Sequence, residues 1–150
     1  MIVNQGIEFG ERIAGLTYRD RLGIYAIIEC EGNIGVIHTK DRIFLPGGGL
    51  EGQESHHECL IRECSEEIGC DIKIDNYIGN AIQYLFSFKD KEPLRIIGHF
   101  YFVRIIGTNK LKVEDDHELI WLTTDDAIES MYVEFQAWAI KEYLHQYNNK

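Results

Sequence analysis

The chain has 150 residues, 45% of them hydrophobic and 27% charged, which fits one compact domain able to bury a core without disulfides or a structural metal. Twenty-five acidic against 15 basic side chains give a net charge of −10, which disfavours nonspecific binding to nucleic acid or an anionic membrane. It leaves room for a small phosphorylated ligand only if local cations carry the contact.

Residues 1–20 are weakly patterned and read as an extended arm or an edge strand. The start, Met1-Ile2-Val3-Asn4-Gln5-Gly6, has neither the basic nor the apolar region of a signal peptide. No apolar run approaches the roughly 20 residues of a membrane span, so a single soluble, cytoplasmic domain over 1–150 is expected. Leu22–Glu29 has the character of a buried strand, Glu31-Gly32-Asn33 is a turn signal, and Ile34–Thr39 returns as the second strand of a hairpin. Arg42–Leu45 is a short strand ending at Pro46, with Gly47-Gly48-Gly49 directly behind it.

Ser55 opens a helix. Ser55-His56-His57-Glu58 has the form of a capping box, Gly69 stands just past the end, and Leu60, Cys64 and Ile68, with Ile61 beside them, give one apolar stripe. Strand-like stretches follow at Asp71–Ile74, Ile78–Phe88, Leu94–Ile106 and Leu119–Leu122, the third being long and β-branched enough to be central. Thr124–Met131 reads as a short helix, and Val133, Ala137, Ile140, Leu144 and Tyr147 mark an amphipathic helix at the end. This order predicts an α/β fold, a mixed β-sheet sandwiched between helices. Tyr84, Phe86, Phe88 and Tyr101 are expected mostly in the sheet core. None of the four cysteines (Cys30, Cys59, Cys64, Cys70) forms a C-x-x-C pair, and they read as small buried hydrophobes in a reducing compartment rather than as bridges or a zinc site.

On the helix, Glu63, Glu66 and Glu67 stand at i, i+3 and i+4, within an arc of roughly 100°. Like charges so spaced weaken a helix by a few tenths of a kcal/mol per pair. Arg62 is the only cation between Ser55 and Gly69. A hard divalent cation held by carboxylate oxygens, magnesium or manganese, would relieve the repulsion. The alternative is an acidic face that simply meets solvent. The three glycines before the helix allow backbone to approach a ligand closely, although they also suit a plain turn. His56-His57-Glu58 lacks a second histidine at Ile61, so it is no zinc-protease motif, and no Gly-Lys-Ser/Thr follows the glycines as a P-loop requires.

These residues resemble the signature of the Nudix (MutT-like) hydrolase family, G-x5-E-x7-R-E-U-x-E-E-x-G-U, with U a bulky aliphatic residue. Residues 48–70 supply Gly48, Glu54, Arg62-Glu63, Glu66-Glu67 and Gly69 at every fixed position, and depart only at the two aliphatic ones, Cys64 and Cys70. The resemblance implies a Nudix-type α/β/α sandwich and metal-dependent hydrolysis of a nucleoside diphosphate linked to another moiety. It implies Glu63, Glu66 and Glu67 as metal ligands, joined by a backbone carbonyl, here Gly47. Arg62 would orient a glutamate and Glu54 would brace the loop. Glu63 or Glu67 would be the general base, with Glu118 or Asp115, from the acidic run Glu114-Asp115-Asp116-His117-Glu118, as outside candidates and Glu118 as a further metal ligand. That run otherwise reads as a solvated loop.

The substrate is less marked. ADP-ribose pyrophosphatases of the family often carry a proline where this chain has Phe86, and dinucleotide polyphosphate hydrolases a tyrosine near a position where this chain has Tyr84 slightly early. By elimination the chain resembles a small MutT-like nucleoside triphosphate diphosphatase. The alternatives are an ADP-ribose, nucleotide-sugar or dinucleotide polyphosphate pyrophosphatase and a non-catalytic nucleotide-sensing module. Arg19, Arg21 and Arg42 are possible phosphate contacts, and a homodimer through residues 1–20 is an open possibility.

Overall fold

Two helices clamp a twisted sheet whose strands alternate their side chains between two separate cores. The computed structural model describes residues 7–148. Among them the strands are β1 (Glu8–Phe9), β2 (Arg19–Cys30), β3 (Asn33–Thr39), β4 (Arg42–Phe44), β5 (Gly47–Gly49), β6 (Cys70–Ser87), β7 (Glu92–Thr108) and β8 (Glu118–Thr123). The helices are α1 (His56–Ile68), α2 (Thr124–Ser130) and α3 (Glu134–Asn148). The sheet order is β1-β6-β7-β2-β3-β4, with β5 paired to β2 and β8 to β3. Parallel pairs (β1·β6, β2·β7) and antiparallel pairs (β2·β3, β6·β7) coexist, so the sheet is mixed.

The two-residue period of β2 decides which helix each side chain meets. Ile24, Ala26 and Ile28 face α1 and join Cys59, Leu60, Cys64, Ile72 and Val103 in one core. Ile27 faces the other way and packs with Phe100, Phe135, Ala139, Ile140 and Tyr143 under α3. Leu60 and Cys64 are fully buried, and a leucine so buried contributes about 1.5–3 kcal/mol. Helix α1 begins at a complete capping box: Ser55 Oγ accepts from the Glu58 N–H, and the Glu58 carboxylate accepts from the Ser55 N–H. Gly69 ends it in the left-handed region at φ 64°.

Several expectations change. The two stretches Asp71–Ile74 and Ile78–Phe88 are one strand, β6, whose pairing with β7 slips at Asp71/Ile72, Ile74/Asn76 and Tyr77/Gly79. Those bulges absorb the polar interruption that looked like a loop. Of the line expected at the end of the chain, Val133 and Ile140 are buried and Ala137, Leu144 and Tyr147 half-buried, while Phe135, Gln136, Ala139 and Tyr143 complete the buried stripe of α3. Phe86 and Phe88 are 47% and 78% exposed, because they sit at the β6–β7 hairpin end beyond either helix. Tyr84 is buried. Cys59, Cys64 and Cys70 are buried free thiols, but Cys30, at the tip of the β2–β3 hairpin, is exposed. The residues before position 7 lie outside the described part; after them β1 pairs with β6 at the sheet edge. No helix among the described residues is long and apolar enough to cross a membrane.

A polar network seats the start of α1 on the sheet. His56 Nδ1 lies 2.9 Å from the Tyr101 hydroxyl, and the Tyr77 hydroxyl lies 2.9 Å from His99 Nδ1. The two imidazole rings are 4.5 Å apart. Burial, helped by His56, holds the His99 pKa down to about 4 from 6.5. The folded chain thus refuses a proton that the unfolded chain accepts. The resulting stability is present above pH 6.5 and is lost as pH falls toward 4. Urea midpoints followed from about pH 7 to about pH 5 should fall less steeply in His99→Gln than in the parent chain; parallel curves would refute the assignment.

Candidate metal and phosphate site

Arg62, on the face of α1 turned to the glycine strand, gathers most of the acidic residues there. Its Nε and Nη2 donate to the two Glu54 oxygens at 2.6 and 3.0 Å, and its Nη1 donates to Glu63 at 2.7 Å and Glu66 at 3.1 Å. Nη2 also reaches the Gly49 carbonyl at 3.2 Å, and Glu51 stands 3.4 Å from Nη1. The paired guanidinium holds the Glu54 pKa below its ordinary value. Burial raises that of Glu63, and Arg62 opposes the rise.

Glu67 lies outside this arrangement. It is 8% exposed, and its Oε1 accepts the Gly47 N–H at 2.7 Å. Burial drives its pKa well up, Gly47 pulls the other way, and the charges of Glu63, Glu114 and Glu66 add to the rise. The loop before β8 closes over it, pinned where the Val113 and Glu114 N–H groups both donate to the Glu66 carbonyl. That loop brings His117 Nδ1 to 3.2 Å from Glu67 Oε2. The approach is close enough for an ion pair but lacks hydrogen-bond geometry, and Nδ1 is buried without a hydrogen-bond partner. Glu114, Asp116 and His117 also bring ligand atoms within 4.8 Å of one another, the one group of this kind among the described residues. An orphaned ring nitrogen, a buried carboxylate of raised proton affinity and a single guanidinium shared by its neighbours together fit a divalent cation.

The glycines let these groups meet. Gly47 has φ 141°, and a Cβ there would lie 2.2 Å from the Ile24 carbonyl oxygen. At Gly48 a Cβ would lie 2.2 Å from a Glu63 oxygen. Beyond the glycines opens a cavity of about 350 Å³, lined by Glu67, His117 and Arg21 together with Tyr25, Phe44 and Phe135.

The structure therefore brings Glu54, Arg62, Glu63 and Glu66 into one network and places Glu67 next to Gly47. Gly47 presents its N–H to Glu67. Glu118 is exposed at the head of β8, opposite His38, and Asp115 is exposed in the preceding turn. Trp121 is 40% exposed across from Gly35. Arg21 packs over Gly49, Arg19 pairs with Glu92, and Arg42 stacks on Tyr132. Two residues escaped the sequence reading. His117 was the one imidazole in an acidic run, and Gln136 was the one amide on the buried face of α3.

The comparisons agree with this geometry. Residues 17–145 match the family model described as NUDIX domain. A curated relative, the ADP-ribose pyrophosphatase of Methanocaldococcus jannaschii, is 31% identical over 101 residues, 63% of this chain. The chain spans only 56% of that relative's length. Among solved structures, a NUDIX hydrolase from Nitrosomonas europaea superposes with a TM-score of 0.71 at 15% identity, covering 85% of this chain and 90% of that one. The MutT NUDIX hydrolase of Burkholderia pseudomallei gives 0.66 at 23%, covering 83% and 98%. The sandwich is thus the Nudix fold, and the chain belongs to the Nudix family.

Because the folded Glu67 pKa is raised, its ionised form opposes folding above the ordinary carboxylate range. Glu67→Gln keeps an acceptor for Gly47 and removes the charge. In chelator near pH 8 the variant should therefore melt at or above the parent temperature. Magnesium or manganese at a hundredfold excess over Kd should stabilise the parent by about 2.7 kcal/mol and the variant far less. A variant that melts lower without metal, or keeps the full metal shift, contradicts the site.

Proposed function

We propose that the chain hydrolyses a nucleoside diphosphate linked to another group, with magnesium or manganese held by Glu63, Glu66 and Glu67. The observation that carries this reading is the buried Glu67 carboxylate, set between the Gly47 N–H, the orphaned His117 nitrogen and an open cavity. The cation would supply charge neutralisation for the bridging phosphates and would acidify a water molecule. Glu118 and a Gly47 carbonyl belong to the proposed ligand set only by family resemblance.

The chain's own residues account for the rest. Glu63 and Glu67 are carboxylates whose proton affinity burial raises, so either suits a general base; Glu67 also borders the cavity. Arg62 fixes the rotamers of Glu54, Glu63 and Glu66 through charge-assisted hydrogen bonds. Arg21, at the rim beside Gly49, is the cation nearest to an arriving phosphate. Water oxygen bonds to phosphorus, the bridging oxygen leaves with its electron pair, and the base takes the water proton. The product is a pair of phosphorylated fragments.

A small MutT-like nucleoside triphosphate diphosphatase is the first reading, since the chain is small and has Phe86 and an early Tyr84 where other Nudix subclasses carry their markers. Hydrolysis of ADP-ribose or a nucleotide sugar is the second, favoured by the name of the M. jannaschii relative. The free, buried thiols suit a cytoplasmic setting. The test is turnover of a nucleotide and nucleotide-sugar panel with magnesium, with products followed in 18-oxygen water. Glu67→Gln should lower kcat by at least about a hundredfold. Tight binding with no product would make the chain a nucleotide sensor instead.

A further inference from the structure

Gln136 is 3% exposed, on the buried face of α3 where its neighbours Phe135 and Ala139 are apolar core. A buried amide must place both ends or incur a cost of about 1–3 kcal/mol. Its oxygen is placed: Oε1 accepts the Leu45 N–H at 2.7 Å. Since Leu45 N–H is a donor, that bond also fixes which end of the amide is nitrogen. No described residue takes up Nε2, yet this atom is not sealed in, because the one sealed polar atom without a partner is His117 Nδ1. The exposure Gln136 retains therefore opens on the cavity it lines.

The position of this amide relative to the acidic site is set by three residues, Leu45-Pro46-Gly47. Gln136 holds the N–H at one end and Glu67 holds the N–H at the other. The span between the two N–H groups is at most about 7 Å of chain, so the amide and the buried carboxylate border one and the same cavity. Between the two lie aromatic and aliphatic walls, Tyr25, Phe44 and Phe135 with Leu85 and Ile96. Tyr25 and Phe135 meet edge to face at 5.6 Å, which fixes the shape of the slot.

We propose that Gln136 is the specificity-determining residue of this slot. It donates through Nε2 to a ring carbonyl, so that the pocket selects nucleotides whose base presents a keto group over those presenting an amino group. The inference rests on the reading of the site as a nucleotide hydrolase and deepens it. A donor facing a carbonyl makes a hydrogen bond, whereas a donor facing an exocyclic amine leaves both groups unpaired in an apolar slot.

Inosine and adenosine triphosphates differ at that edge alone, which makes them the probes. The parent chain should show a kcat/KM for inosine triphosphate at least about tenfold above that for adenosine triphosphate. Gln136→Glu, assayed near pH 8.5, keeps an acceptor for Leu45 and replaces the donor by an acceptor. It should reverse the preference toward the amino base. Gln136→Met, with no donor, should bring the ratio near one. A parent ratio near or below one overturns the proposal, whether or not the variants fold. So does an unchanged ratio in both variants. If neither nucleotide turns over but calorimetry finds the same inosine preference in binding, the slot assignment stands and the hydrolase reading falls.

Discussion

The structure depends on keeping one carboxylate, that of Glu67, almost wholly out of water. An ionised group so buried is costly unless donors or an opposite charge meet it. The protein supplies one donor, the Gly47 N–H, and no guanidinium, because Arg62 is committed to Glu54, Glu63 and Glu66. That shortfall explains the surroundings. Gly47 must adopt a positive φ and approach β2 so closely that any side chain would strike Ile24. The β7–β8 loop must be tied to the end of α1 through the Glu66 carbonyl, so that His117 arrives on the far side of Glu67. A cation completes what the protein leaves undone.

The same shortfall bears on the net charge of −10. An anionic substrate entering the cavity meets one Lys or Arg among its lining residues, Arg21. Arg19 and Arg21 both stand near Asp90, Arg95 pairs with Asp20, and Arg104 with Asp75. Screening weakens these exposed pairs individually, but none offers a concentrated positive patch. In the proposed reaction, affinity for phosphate would come from bound metal together with Arg21, which would couple substrate and metal binding by electrostatics.

Much of this was legible in the sequence because it is local. The capping box, the glycine stop and the i, i+3, i+4 glutamates on α1 follow from spacing within one helix. The hairpin at Glu31-Gly32-Asn33 follows from Gly32, which takes φ 83° at no steric cost. What was not legible is whatever depends on long-range register. Gln136 looked like one more polar residue of an amphipathic helix, and only the docking of α3 on the sheet turns it inward to Leu45, 91 positions away. His117 lay hidden in a charge run that reads, by sequence, as a solvated loop. The bulges of β6 defeated period-two reading, because each slip moves following side chains to the opposite face. Phe86 and Phe88 failed for a related reason: alternation predicts a face, and the hairpin end has no helix to cover it.

Leu45-Pro46-Gly47 joins the legible and the hidden halves. Its glycine end meets α1, whose residues are fixed by a signature spread over 23 positions, 48–70. Its leucine end meets α3, which belongs to no signature. Proline between them has no N–H to give and a restricted φ, so each flanking N–H is left to a single side chain from a different helix. Chemistry and selectivity are thereby attached to opposite ends of one rigid element. A change at position 136 alters what the slot accepts without touching the carboxylates of α1, and a change at Glu67 alters the reaction without reshaping the slot. That separation is the physical reason a shared acidic box says so little about the substrate: the box fixes one end of the molecule it acts on, and an unconnected helix reads the other.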